Sequence, residues 1–197
     1  MATLPEDHPA IKAGKTGILL LHLGTPDSPT PKDVRKFLAR FLSDRRVIET
    51  SPFIWWPILH SIILPLRPRR VAKAYAAIFS EGISPLRRIS LAQAEKLQAT
   101  LGEDYVVHAA ATYGAPDIAT TINAMAEQGC RSVTAWALYP HYSATTTAAS
   151  YDRVFRHLQT MRWQPQIRTI ASYHDHPAYI AALAQLIRDD LAKLTWQ

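Results

Sequence analysis

Cysteine is almost missing: Cys130 is the single one in 197 residues. That excludes a disulfide framework and a cysteine-built metal site within the chain, and it fits a reducing compartment. Glycine is scarce too. The seven glycines include no Gly-x-Gly pair and no Walker-A run, so there is no backbone cradle of the kind a nucleotide-binding Rossmann domain needs. Apolar runs are short. The longest, between Pro52 and Pro65, is interrupted by Pro57 and cannot cross a bilayer. The first fifteen residues carry Glu6, Asp7 and two prolines without an apolar stretch, so no signal peptide is expected. Internal repeats and low-complexity tracts are absent as well.

The residues that are present suit one globular unit. At 48% hydrophobic with mixed charge, the chain can bury a core as a single domain. Lys and Arg number 22 against 16 Asp and Glu, a net charge of +6 that suits anionic partners.

Strand and helix patterns alternate along the chain. Gly17 to Leu23 is a continuous apolar run, the mark of a strand covered on both faces, and it ends at Gly24, Thr25 and Pro26. Helical spacing runs over Asp33 to Leu42, opened by Pro31. Ala72 to Phe79 and Leu91 to Leu101 read as further helices. Tyr105 to Thr112 is the second strand, and Asp117 to Gln128 is a helix closed by Gly129. Ser132 to Leu138 and Ile167 to Ser172 are the third and fourth strands, and a helix runs from Pro177 to about Leu194. Four strands separated by helices predict an α/β fold with a parallel, doubly wound sheet.

Two stretches carry chemistry. Leu138 to Ser143 reads Leu-Tyr-Pro-His-Tyr-Ser and is trailed by Thr145, Thr146, Thr147 and Ser150. Pro140 cannot donate to a ladder and forces the chain out of the sheet. His141, Tyr142 and Ser143 then fall in the turn at the carboxyl end of the strand, where open α/β sheets bind ligands, with Ser143 or Thr145 capping the next helix. An ordinary strand-to-helix loop accounts for the same residues. The second stretch, Phe53 to Leu64, reads either as a core helix with a loop or as an apolar lip. Its two adjacent tryptophans and the nearby Arg67, Arg69 and Arg70 favour a lip facing a membrane surface or a large flat hydrophobic substrate.

The ordered set Leu23-Gly24-Thr25-Pro26, Phe41 to Ile48, Trp55-Trp56-Pro57, Gly82 to Leu86, Thr112-Tyr113-Gly114 and Leu138 to Ser143 closely resembles the N-terminal portion of the ferrochelatase family, nearest to its proteobacterial form. The resemblance runs from about Lys15 to Trp196. It implies one half of a two-domain chelatase-like fold, a Rossmann-like four-stranded parallel sheet with flanking helices, with an N-terminal extension over 1–15 and the N-terminal ferrochelatase domain over 16–197. It also implies the family's activity, insertion of ferrous iron into protoporphyrin IX to form protohaem, the terminal step of haem biosynthesis. Protoporphyrin IX and ferrous iron are then the expected partners, without nucleic acid. The expected location is the cytoplasm, peripheral to the inner membrane through Phe53 to Leu64.

Residue by residue, the resemblance implies a porphyrin wall. Leu23 stands where relatives place a Leu, Met or Tyr facing the macrocycle. Arg67 matches a pocket arginine, Tyr75 and Ser84 match polar residues near the propionates or rim, and Tyr113, Tyr139, His141 and Thr145 complete the expected cleft. Tyr75 shares helical spacing with Ala72 and Ile78, which also suits a core residue. The family's catalytic histidine lies in a Ser-x-His-Gly/Ser-x-Pro motif after the helix that closes this sequence. None of the eight histidines stands in that motif, so the catalytic histidine and its acidic partner are expected beyond Gln197, and the chain alone is expected to be inactive, a half-domain needing a partner being the alternative. Ala144 occupies the position where cluster-bearing relatives carry Cys, so no iron-sulfur cluster and no resident cofactor are expected. His174-Asp175-His176 looks like a metal spacing but is read as cap and turn ahead of a Pro-started helix.

Overall fold

A computed structural model describes residues 14–194, so 1–13 of the expected N-terminal extension lie outside the described residues. Four parallel strands, β1 (Lys15–His22), β2 (Tyr105–Ala111), β3 (Cys130–Ala137) and β4 (Gln166–Thr169), form one sheet in the order β2-β1-β3-β4. Among the described residues there are seven α-helices: α1 (Pro31–Leu42), α2 (Pro52–Ile58), α3 (Leu64–Ile78), α4 (Pro85–Leu101), α5 (Ile118–Glu127), α6 (Ala149–Leu158) and α7 (Pro177–Leu191). The sheet and its helices agree with the half-domain architecture expected from the sequence.

Strand alternation builds the core. Leu19 and Leu21 of β1, Val106 and Ala110 of β2, and Val133, Ala135 and Ala137 of β3 share one face, packed against Ile122 and Met125 of α5 and Val154 of α6. Leu20, Val107 and Ala109 turn the other way and meet Ala94 of α4, with Trp136 alongside. A third cluster brings α1 and α3 together through Val34, Phe37, Leu64 and Ala72, and includes Leu23 and Tyr113 from the loops that leave β1 and β2. At roughly 25 cal/mol per Å² of apolar surface, these clusters supply the main favourable term in folding.

Several boundaries differ from the sequence reading. Thr30 caps α1, its hydroxyl accepting from the Asp33 N–H at 3.3 Å, so the helix starts at Pro31 rather than Asp33. Likewise α4 begins at Pro85 because the Ser84 hydroxyl accepts from the Arg87 N–H at 3.2 Å. Helix α3 begins eight residues before Ala72, continuing a chain that is helical from Pro52. A π turn over Leu59–Ile63 joins α2 to α3, closed by the Leu64 N–H donating to the Leu59 carbonyl. Pro65 falls in the first turn of α3, whereas Pro68 lies inside the helix and removes one intrahelical N–H donor. Strand β4 is only four residues, an edge strand paired to β3 alone.

Candidate functional site

The carboxyl ends of β1 and β3 are neighbours, and backbone hydrogen bonds lock the loops that leave the sheet there. The Leu138 N–H donates to Leu21 O at 2.9 Å, the Tyr113 N–H to Leu23 O at 2.9 Å, and the Thr112 N–H to His22 O at 2.8 Å. Gly24 makes the turn after β1 with φ +92°. A Cβ there would sit 3.0 Å from Ala111 Cβ and from the Tyr113 backbone carbon, so only glycine fits. Thr25 and Pro26 come next, and the Thr25 hydroxyl pairs with Ser84 Oγ at 2.8 Å. This bond ties the first loop to the N-terminus of α4.

The expected wall residues divide into three groups. Leu23 and Tyr75 are half-buried in the cluster shared with α1, where Tyr75 meets Phe37 and Phe79 edge-on at 6.3 and 6.1 Å. Burial raises the Tyr75 pKa, which keeps its phenol a neutral donor. Ser84 is 2% exposed, with its hydroxyl shared between the helix cap and Thr25. Tyr139 packs partly buried on the α5–α6 side, its hydroxyl enclosed without a hydrogen-bond partner. The Ser150 hydroxyl is itself occupied, by Thr112 Oγ1 at 2.7 Å and Thr146 O at 2.9 Å. Burial pushes the Tyr139 phenol up to about 12.

Arg67, His141 and Thr145 are exposed. His141 stacks on His174, ring centroids 5.2 Å apart, which places the loop before α7 beside the loop after β3. Thr145 lies in a π turn over Ala144–Ala148 whose cap is Ser143, its hydroxyl accepting from the Thr145 N–H at 3.3 Å. His176 caps α7 through Nδ1, which accepts from the Ala178 N–H at 3.2 Å, in line with the cap-and-turn reading of that segment.

Tyr113, expected to open onto this end of the sheet, is closed off instead. It is 1% exposed, its hydroxyl donates to Asp44 Oδ2 at 3.0 Å, and the Arg153 guanidinium lies 4.5 Å from its ring centroid. Burial and the Asp44 carboxylate both raise its pKa. The physical reason is the Asp44 partner, which a phenol near the surface would not need. Asp44 itself caps the turn after α1, accepting from the Arg46 N–H at 2.9 Å, with Arg153 at 3.5 Å.

His22, which the sequence reading passed over, is a buried member of the same end. Its Nδ1 accepts from the Gly24 N–H at 3.1 Å, so the ring is neutral and protonated on Nε2. Burial, reinforced by the positive charge of Arg87, lowers its pKa to about 4.

The lip is exposed. Phe53 is 92% accessible, Ile54, Trp56 and Ile62 more than half, and Leu66 71%. Trp55 points the other way, its Nε1–H donating to Leu42 O at 2.7 Å, and Leu59 and Leu64 anchor the segment in the core. The core-helix reading therefore holds for those three residues and for Ile63, which packs on the same cluster, and not for the rest of the exposed face. Among the described residues no helix is long and apolar enough to cross a membrane.

An open parallel sheet flanked by helices, with hydroxyl- and aromatic-rich loops gathered at its carboxyl edge, defines an α/β domain of the Rossmann-like class. A family model described as ferrochelatase matches residues 15–197. The chain is 46% identical to the ferrochelatase of Agrobacterium fabrum over 201 residues, covering 100% of this chain and 58% of that protein. It is 45% identical to the ferrochelatase of Rhizobium meliloti over 195 residues, 97% of this chain and 58% of that protein, and 48% identical to that of Gluconobacter oxydans over 187 residues, 93% and 54% respectively. The chain belongs to the ferrochelatase family. It spans little more than half the length of these curated relatives.

Proposed function

We propose that this chain supplies one wall of a porphyrin cleft for insertion of ferrous iron into protoporphyrin IX, giving protohaem. The observation that supports this best is the convergence of the family-matched loops at the adjacent carboxyl ends of β1 and β3, beside an exposed apolar lip. Metal insertion requires two pyrrole protons to leave, and a bent macrocycle exposes nitrogen lone pairs that a flat one shields. Leu23 shapes one side of the ring without ligating metal. Arg67 and the neutral Tyr75 phenol engage propionate carboxylates, a charge-assisted contact and a hydrogen bond respectively. Tyr139, His141 and Thr145 complete the wall, and two buried residues act behind it: Tyr113 by holding Asp44 and the loop after β2, and Ser84 by capping α4 and holding Thr25. The proton-abstracting base is not among these side chains, because no histidine stands in the Ser-x-His-Gly/Ser-x-Pro motif. The 197 residues by themselves therefore bind porphyrin weakly and do not turn over, and they use no resident cofactor or iron-sulfur cluster.

The lip adds a location. Phe53, Trp56, Ile62 and Leu66 offer apolar contact while Arg69 and Arg70 offer charge to lipid headgroups, which supports a cytoplasmic protein peripheral to the inner membrane. The test is quenching of protoporphyrin fluorescence on titration with the chain. Saturable quenching weakened by Arg67→Ala and Tyr75→Phe supports the wall assignment, and equal affinity in wild type and both variants refutes it.

A further inference from the structure

A cavity of about 500 Å³ lies between the end of α1 and α6 and is lined by Arg40, Ser43, Asp44, Arg45, Arg153 and Arg156. Four guanidinium groups thus surround one carboxylate, and that carboxylate is already occupied. Asp44 Oδ2 accepts from the Tyr113 hydroxyl and pairs with Arg153, while Oδ1 accepts from the Arg46 N–H. The neighbouring Asp152 is engaged as well, by Arg46 at 2.9 and 3.3 Å and by Arg156 at 3.5 Å. Among the described residues neither Arg40 nor Arg45 has a carboxylate within 4.0 Å. Clustering like charges around a concave surface is unfavourable unless something else neutralises them.

A second feature points to the missing counter-charge. Arg153 is held in place, its guanidinium over the Tyr113 ring, yet its Nε is enclosed and has no hydrogen-bond partner. The contact with the ring fixes the plane of this side chain before any ligand arrives. Guanidinium forks present paired N–H groups at the spacing of phosphate oxygens. Two of the four, Arg40 and Arg45, carry no carboxylate partner among the described residues, so the cavity offers charge for two phosphoryl groups rather than one.

We propose that this cavity binds a multiply charged phosphate group of about diphosphate size. Arg40 and Arg45 supply guanidinium groups with no carboxylate within 4.0 Å among the described residues, Arg153 a guanidinium held over the Tyr113 ring, and Ser43 a neutral hydroxyl. The site is independent of the porphyrin wall proposed above, since its test involves no tetrapyrrole.

Calorimetric titration of the full chain at low salt with inorganic diphosphate tests it directly. The expected result is one saturable site, with the double variant Arg40→Gln/Arg45→Gln binding roughly tenfold or more weakly, while the charge-matched control Arg162→Gln/Arg168→Gln stays within about twofold. Both pocket arginines are exposed, so the variant retains the fold, and its circular dichroism checks that. A parallel sedimentation arm uses vesicles containing phosphatidate. Diphosphate binding without retention assigns the site to a soluble ligand, and diphosphate binding together with retention that the pocket variant alone loses extends it to a lipid headgroup; retention without diphosphate binding overturns the diphosphate assignment. Absence of saturable binding in both arms, or equal loss in the control variant, overturns the proposal.

Discussion

Asp44 organises the carboxyl edge of the sheet from 69 residues away in sequence, through the Tyr113 hydroxyl. Removing that hydroxyl in Tyr113→Phe leaves Asp44 with Arg46 and Arg153, so the expected cost is about 1–2 kcal/mol, read as a lower urea midpoint with unchanged slope. Asp44→Ala should cost more, about 3–4 kcal/mol, because it leaves Arg153 partly enclosed without its carboxylate. His22 adds a pH dependence. Its folded pKa, about 4, lies below the ordinary value of 6.5, so between those values the unfolded chain takes up the proton first. The stabilisation is complete above pH 6.5 and is lost as pH falls toward 4, by up to about 3 kcal/mol. His22→Asn retains an acceptor for the Gly24 N–H and should flatten that part of the stability profile; an identical slope in the variant would refute the assignment. The Asp44–Tyr113–Arg153 group is not legible in the sequence. Asp44 and Tyr113 each stand within motifs, but nothing local says that one accepts from the other.

At the scale of elements, sequence patterning locates most of the structure and misplaces several ends. The β1 run and its Gly24-Thr25-Pro26 stop are legible because a doubly covered strand is continuously apolar and its turn needs a positive φ. Gly24→Ala should therefore destabilise by about 1–3 kcal/mol in the same urea experiment, since the left-handed backbone and the Ala111 contact both oppose a Cβ. The starts of α1 and α4 escape the pattern because capping by Thr30 and Ser84 sets them upstream of the apolar periodicity. The lip is the least legible element. An apolar run with prolines fits a buried helix as well as an exposed one, and the π turn decides it by keeping Leu59 and Leu64 inward and Phe53 and Ile62 outward. Phe53→Ser/Trp56→Ser/Leu66→Ser should leave the urea midpoint nearly unchanged while abolishing co-sedimentation with anionic vesicles. Undiminished co-sedimentation would remove the lip from the account.

At the scale of the whole molecule, sheet order and family agree: β2-β1-β3-β4 is the order that sets the ends of β1 and β3 side by side. One face of α7 carries Ile180, Leu183, Ile187 and Leu191, all exposed among the described residues, whereas α5 and α6 bury theirs against the sheet. The chain corresponds to 54–58% of the length of the relatives above. The central claim, that these residues form a porphyrin wall without the catalytic base, is tested most directly by anaerobic ferrous-iron insertion into protoporphyrin IX, monitored as loss of porphyrin fluorescence. The 197-residue chain is predicted to bind the porphyrin weakly and to form protohaem no faster than buffer. Turnover above that background, abolished by His141→Ala, would contradict the account and move the base onto the loop after β3.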